Sequence, residues 1–225
     1  MIITIDGPSA SGKSTAAQAL AKKLGFYYLN TGLLYRAIAY LLLKRESYTQ
    51  EELFNPRTDD LKRYLDTVHF SYHYSDTGKA TITFESHDIT PYLKDEEISR
   101  GASVISLNPR VREALHTIQH FIRDQHNIVV EGRDSGSVVF PLAEYKFFLT
   151  ASLDERARRV QKMQEERGVS YTIEQALHEL QERDTRDQAR PHAPLRIPDD
   201  AVVIDSTDLD LNQVIQEMMK NIKQA

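Results

Sequence analysis

Apolar and polar positions change rhythm several times along this chain, and each rhythm selects an element. Residues 1–6 are β-branched and apolar up to an acidic residue and a glycine, which predicts a buried strand. Ala16, Ala17, Leu20 and Leu24 then fall at helical spacing, predicting a helix over 13–24 that Gly25 stops. A second strand is predicted over 26–29 and an apolar, buried helix over 32–44. Residues 46–66 are polar and hold Pro56, so they read as a loop with one short helix at 59–65.

Between 67 and 90 the period falls to two. Val68, Phe70, Tyr72 and Tyr74 alternate with polar residues, Asp76-Thr77-Gly78-Lys79 turns the chain, and residues 80–84 alternate again. That is a β-hairpin with one wet face. Helices follow over 95–107 and 109–125, with Pro109 suited to a first turn. Apolar strands are predicted at 127–131, 145–150 and 201–205. Charged helices at 153–167 and 172–187 separate the last two strands, and a final helix covers 212–223. Strands separated by helices imply an α/β fold, a three-layer αβα core whose parallel sheet is covered on both faces. The hairpin reads as an insertion into it.

Composition narrows this further. At 225 residues, 40% hydrophobic and 27% charged, the chain suits one domain with a full core. It has no cysteine, which excludes thiol catalysis, Cys-ligated zinc and iron–sulfur clusters and fits a reducing compartment. A net charge of −5 argues against a general nucleic-acid or membrane-surface binder. The N-terminus lacks the basic start and apolar stretch of a secretory signal, and the longest apolar run, 37–43, is too short to span a bilayer. The expectation is a soluble, cytoplasmic monomer. His69 and His73 are four apart, but on a strand pattern without a third ligand, which is no zinc site.

The strongest chemical signal is Gly7-Pro8-Ser9-Ala10-Ser11-Gly12-Lys13-Ser14, a full G-x-x-x-x-G-K-[ST] between a predicted strand and helix. Glycines let the backbone curl so that N–H groups point at phosphate oxygens, and the helix adds its positive end. Lys13 supplies a cation for the β- and γ-phosphates, and Ser14 a hydroxyl for Mg²⁺. Residues Gly7 to Thr15 are therefore the candidate set for a nucleoside triphosphate. Neither N-K-x-D nor D-x-x-G occurs, which argues against a GTPase, and no LSGGQ-like signature marks a transporter. A small kinase moving the γ-phosphoryl group fits best.

Its acceptor should be anionic, because arginines gather where substrate contacts are expected. They are Arg36, Arg110, Arg112, Arg133 and a run of Arg156, Arg158, Arg159, Arg167, Arg183, Arg186 and Arg190. Nine acidic residues share the 151–190 region, so solvated ion pairs compete with this reading. Arg133, at the carboxyl end of a predicted core strand, is best placed for a ligand.

Four further segments carry a resemblance. Asn30-Thr31-Gly32-Leu33-Leu34-Tyr35-Arg36 resembles the (D/N)-(S/T)-G-x-x-Y-R of bacterial cytidylate kinases, and the stretch from Pro109 to Leu115 is similar to their PRVREAL segment. The stretch from Glu131 to Pro141 resembles (D/E)GRDxGTVVFP. Glu182 to Asp187 with Arg190 and Ala193-Pro194-Leu195 resembles ERDxxDxxR…APL. The resemblance implies transfer from ATP to CMP or dCMP, with Mg²⁺, on a nucleoside-monophosphate-kinase fold. The core would be 1–45 and 95–225, the monophosphate-binding insertion about 60–95 and the lid about 153–187.

Residue by residue, the resemblance puts Arg36, Arg133 and Arg190 on the acceptor phosphate, and Thr31 and Tyr35 beside that phosphate and the ribose. It puts Arg183 and Asp187 near the ribose hydroxyls. Asp134 would accept from the cytosine amino group, Arg112 would donate to its acceptors and Ser103 would add a hydroxyl. Arg156, Arg158 and Arg159 would lie on the lid, where one of them, with Arg156 and Arg159 preferred, would reach the transferring group on closure. Asn30 stands for the commoner Asp, Glu131 for Asp and Ser137 for Thr, while Ser135 occupies a usually hydrophobic position for no reason visible in the sequence. Either Glu131 or Asp205 could be the acid behind Mg²⁺. A kinase acting on UMP, AMP or shikimate, or an ATP-dependent switch without turnover, stays as the alternative.

Overall fold

The computed structural model describes residues 1–66 and 68–222. Along the chain run β1 (Ile2–Asp6), α1 (Lys13–Leu24), β2 (Tyr27–Asn30), α2 (Thr31–Arg45), α3 (Thr58–Tyr64), β3 (Phe70–Tyr74), β4 (Ala80–Phe84) and β5 (His87–Asp88). They continue as α4 (Glu96–Ile105), α5 (Pro109–Gln125), β6 (Ile128–Gly132), β7 (Tyr145–Thr150), α6 (Leu153–Glu165), α7 (Ile173–Gln188), β8 (Val202–Asp205) and α8 (Leu211–Asn221). Helix starts follow their caps. Asn30, Asn108, Ser152, Thr172 and Asp210 each accept a backbone N–H of their own helix, and Thr172 with Gln175 and Asp210 with Gln213 close capping boxes. No helix among the described residues is long and apolar enough to cross a membrane.

The chain packs as two compact units, residues 1–26 with 129–225, and residues 27–128. In the first, strands lie in the order β6, β1, β7, β8, with β1–β7 and β7–β8 parallel and Ile5 opposite Phe147. Ile3, Ile5, Val129, Val130, Phe147 and Leu149 are buried in this sheet, and Ala16, Ala17 and Leu20 are buried on α1. Helices α6 and α7 pair through Ala157, Ala176 and Leu180, with Leu153, Tyr171 and Ala10 packed against them.

In the second unit β3, β4 and β5 form an antiparallel sheet, with Phe70 opposite Phe84 and Tyr72 opposite Ile82. Tyr72 Oη donates to the Tyr28 carbonyl at 2.9 Å and accepts from the Asn30 N–H at 3.1 Å. Asn30 explains its own departure from Asp. Its Oδ1 caps α2 at Leu33 N, while its Nδ2 donates to Tyr28 Oη at 3.1 Å, which a carboxylate cannot do.

Several expectations need correction. Val68 is 81% exposed and precedes the first hairpin strand, while Thr67 lies outside the described residues. The two-residue β5 extends the hairpin to three strands. The last strand is an edge, not a strand buried on both faces, and its Val203 is 51% exposed. The final helix is described to Asn221, and Lys223 lies outside the described residues.

Candidate active site

Gly7 must be glycine. Its φ is +149° and an added Cβ would stand 2.0 Å from the Leu149 carbonyl oxygen, so β7 runs directly under the loop. Ala10 also sits in the left-handed region, at φ 59°, a conformation that disfavours any side chain. Gly12 then begins α1 with no side chain capping it and no acid in its first turn, leaving N–H groups and the helix dipole for an anion. Lys13 is buried and its Nζ donates to the Pro8 carbonyl at 2.6 Å. Burial first, then the Arg133 guanidinium, push Lys13 well below the usual lysine range, and Glu131 pulls it back. Ser14 and Thr15 are exposed.

Arg133 follows β6 and joins this loop to α7. Its Nη2 donates to Ser9 Oγ at 2.8 Å and its Nε to Asp187 Oδ2 at 2.8 Å. The other Asp187 oxygen accepts from Arg190 Nη2, so one buried carboxylate serves two guanidiniums. Burial acts to raise Asp187, but Arg133, Arg190 and Arg183 outweigh it and hold the group below the usual carboxylate range. Arg190 Nε is buried with no hydrogen-bond partner among the described residues. Arg156 is buried, paired with Asp184 at 2.6 Å, and donates to the Ser9 carbonyl at 3.4 Å. Arg159 reaches Ser206, whose hydroxyl donates to the Ser11 carbonyl at 3.1 Å. Arg158 pairs with Glu155 on an exposed face.

Sequence reading missed Asp6. It ends β1 fully buried, and its two carboxylate oxygens accept the N–H groups of Ser135 at 2.9 Å and Gly136 at 2.7 Å. The chain there makes a wide π-turn over Ser135–Val139, which propensity does not signal. Between the two acids considered for Mg²⁺, Asp205 is exposed and accepts from Thr207 N and Oγ1. Glu131 is buried, and its charge acts on Lys13.

In the other unit, Thr31 is buried as the first residue of α2, with Tyr35 and Arg36 half-buried a turn later. Arg36 Nη1 donates to the Leu93 carbonyl at 2.9 Å and to Ser99 Oγ. Ser103 and Arg112 are both buried, and Arg112 Nη1 donates to the Ser106 carbonyl at 3.4 Å. Arg110 is not gathered for an anion: it donates to Thr58 Oγ1 and Asn55 Oδ1 and ties down the segment before α3.

Amides on a curled loop, a buried lysine and guanidiniums braced by carboxylates are the means of a P-loop phosphoryl-transfer enzyme, in which positioning and charge do the chemistry. Comparison with known proteins narrows the class. The family model Cytidylate kinase matches residues 3–224. The chain is 41% identical over 223 residues to the Cytidylate kinase of Streptococcus gordonii strain Challis, spanning 98% of this chain and 96% of that one. It is 39% identical over 216 residues to the Cytidylate kinase of Streptococcus pneumoniae strain 70585, spanning 96% and 94%. A crystal structure of an uncharacterized protein from Eubacterium ventriosum shares the fold at a TM-score of 0.51 and 12% identity, covering 99% of this chain and 97% of that one. The chain therefore belongs to the cytidylate kinase family of nucleoside monophosphate kinases, whose function is phosphorylation of CMP by ATP.

Proposed function

We propose that residues Gly7 to Thr15 take the triphosphate of ATP, and that Arg133 and Arg190 take the phosphate of CMP or dCMP. The observation that carries this is Arg133, tied at once to Ser9 of the loop and to Asp187. That double tether sets a guanidinium fork beside the donor loop before any ligand arrives, and a fork suits phosphate better than a point charge. The acceptor phosphate is its own ionised nucleophile, so no general base is required. Burial and Arg133 disfavour the charge on Lys13, and an incoming polyanion would favour it. Arg156 and Arg159, on α6, are assigned to the transferring group, where one guanidinium contributes about 10³–10⁵ in rate. Asp187 orients Arg133 and Arg190, and Arg183 serves the ribose.

Mg²⁺ fits the donor set. The Ser14 hydroxyl is exposed without a hydrogen-bond partner among the described residues. No trio of His, Asp or Glu suited to a metal occurs among them. The cation would be held through Ser14 and nucleotide oxygens, and when bound it neutralises developing phosphate charge.

On the acceptor side, Thr31, Tyr35 and Arg36 are assigned to the phosphate and ribose, and Ser103, Arg112 and Asp134 to cytosine. A carboxylate that accepts from the cytosine amino group faces a repelling oxygen in uracil, so CMP and dCMP should turn over well ahead of UMP. The test is coupled ADP release with Mg²⁺-ATP and CMP, dCMP, UMP or AMP. Asp134→Ala should narrow the CMP-to-UMP gap by tenfold or more, and an unchanged ratio would discard the base assignment. The same reading makes the enzyme a cytoplasmic monomer, whose oligomeric state sedimentation velocity would settle.

A further inference from the structure

Asp6 and Ser135 have no part in the chemistry assigned so far. Asp6 is fully buried at the end of β1, immediately before the phosphate loop, and each of its oxygens holds one N–H of the π-turn. The buried Ser135 side chain also acts to hold the same carboxylate down, which gives a reason for a polar residue where cytidylate kinases usually carry a hydrophobic one. Gly136 permits the approach, since a Cβ there would lie 2.6 Å from Thr4 Oγ1 and 3.4 Å from Asp6 Oδ2. The turn so held begins one residue after Asp134 and two after Arg133.

We propose that Asp6 and Ser135 are positioning residues for the acceptor, the ionised Asp6 carboxylate gripping the π-turn and thereby fixing Asp134 and Arg133. A carboxylate only accepts hydrogen bonds, so its ionised form satisfies both backbone donors. Protonation turns one oxygen into a donor that opposes an N–H. The inference rests on the assignment of Asp134 to cytosine and Arg133 to phosphate.

Burial is the main cause that pushes Asp6 up, to about 6, with Asp134 adding to it and the bonds from Gly136 and Ser135 opposing. Other charged groups on the packed elements are Lys13 after the loop, Glu131 on β6, Lys146 on β7 and Asp199 and Asp200 after Pro198. Lys146 is paired with Asp200 at 2.6 Å. Asp134 is the charge that moves Asp6 most. The grip therefore weakens on acidification through the region where a nucleotide phosphate also titrates.

The experiment removes that overlap by comparing variants on the same substrate. Profiles of kcat/KM for CMP between pH 5 and 9 are measured for wild type, Ser135→Ala and Asp6→Asn. Loss of the Ser135 hydroxyl, which acts to hold Asp6 down, should move the acid limb of Ser135→Ala to higher pH, with KM for ATP within twofold. Asp6→Asn cannot ionise and presents an NH₂ to one backbone N–H. It should lower kcat/KM for CMP by tenfold or more at every pH, reduce the CMP-to-UMP ratio and leave only the substrate's own limb. Coincident acid limbs for wild type and Ser135→Ala, with the variant folded by circular dichroism, would overturn the inference. That arm decides the matter if Asp6→Asn does not fold. If Asp134→Ala leaves the CMP-to-UMP ratio unchanged, the base assignment fails, and this inference with it. If that ratio narrows while Ser135→Ala leaves the limb in place, only the inference falls.

Discussion

Replacing Asp187 by Asn isolates the carboxylate that braces two arginines. Its side chain is 2% exposed, and its partners Arg133 and Arg190 are 17% and 6% exposed. Breaking a buried ion pair by neutralising one side costs about 3–5 kcal/mol, because the partner charge stays buried. Asn keeps one acceptor oxygen, so the lower end, about 3 kcal/mol, is expected. In a chain of this size each kcal/mol lowers Tm by about 2–4 °C, which gives a drop of about 6–12 °C. The pH dependence has a definite sign. Asp187 is held below the ordinary carboxylate value of 3.8, so its contribution is present above that value and lost as pH falls through the folded-state one. The gap between wild type and variant should be full at pH 7 and close below about pH 4. Calorimetry and a steady-state assay on one preparation test both halves: kcat/KM for CMP should fall at least tenfold as the two guanidiniums lose their orientation. A Tm change under 2 °C at pH 7 with unchanged kcat/KM would refute the view that this carboxylate organises the site.

Gly7→Ala forces a Cβ to 2.0 Å from the Leu149 carbonyl oxygen at a positive φ; it should abolish ATP binding by calorimetry, even in protein that still folds. Asn30→Ala loses both the α2 cap and the Tyr28 contact and should cost about 1–2 kcal/mol in urea unfolding, whereas Asn30→Asp keeps the cap and should cost less than half of that. Asp6, raised from 3.8 to about 6, binds more protons folded than unfolded between those values, so its contribution to stability falls as pH rises across them. The difference in unfolding free energy between wild type and Asp6→Asn should therefore shift by about 2 kcal/mol from pH 4 to pH 7.

The phosphate loop was legible because its meaning is local: eight consecutive residues set their own backbone and their own helix start. The same holds for α5, which begins at Pro109 as its sequence predicts. Asp6 was not legible, since an acid at the end of an apolar strand also describes Asp205, which caps its own turn at Thr207. The distinction lies in the π-turn that folds onto Asp6 from residues 135 and 136, a contact between segments far apart in sequence. Likewise the arginines were visible as a group but not by task. Arg110 and Arg112 are two residues apart, yet the first pins Asn55 and Thr58 and the second is buried against the Ser106 carbonyl. Strand order was hidden too. Sequence shows that 201–205 is a strand, and only the pairing of β7 with β8 makes it an edge with Val203 half in water.

The unit that carries the phosphate loop is split in the chain, residues 1–26 at one end and 129–225 at the other, while residues 27–128 are continuous. During synthesis Ile3 must wait for Tyr145, its neighbour across β1 and β7, about 140 residues later. At ribosomal rates that is on the order of ten seconds. Through that interval the β1 strand is apolar and without β7, while the whole of the continuous unit is being made. The nucleotide loop, whose floor is Leu149, can take its final shape only after that residue appears. The phosphate loop is thus translated long before the residues it rests on, and a nascent chain should acquire ATP affinity late and abruptly rather than in step with its length.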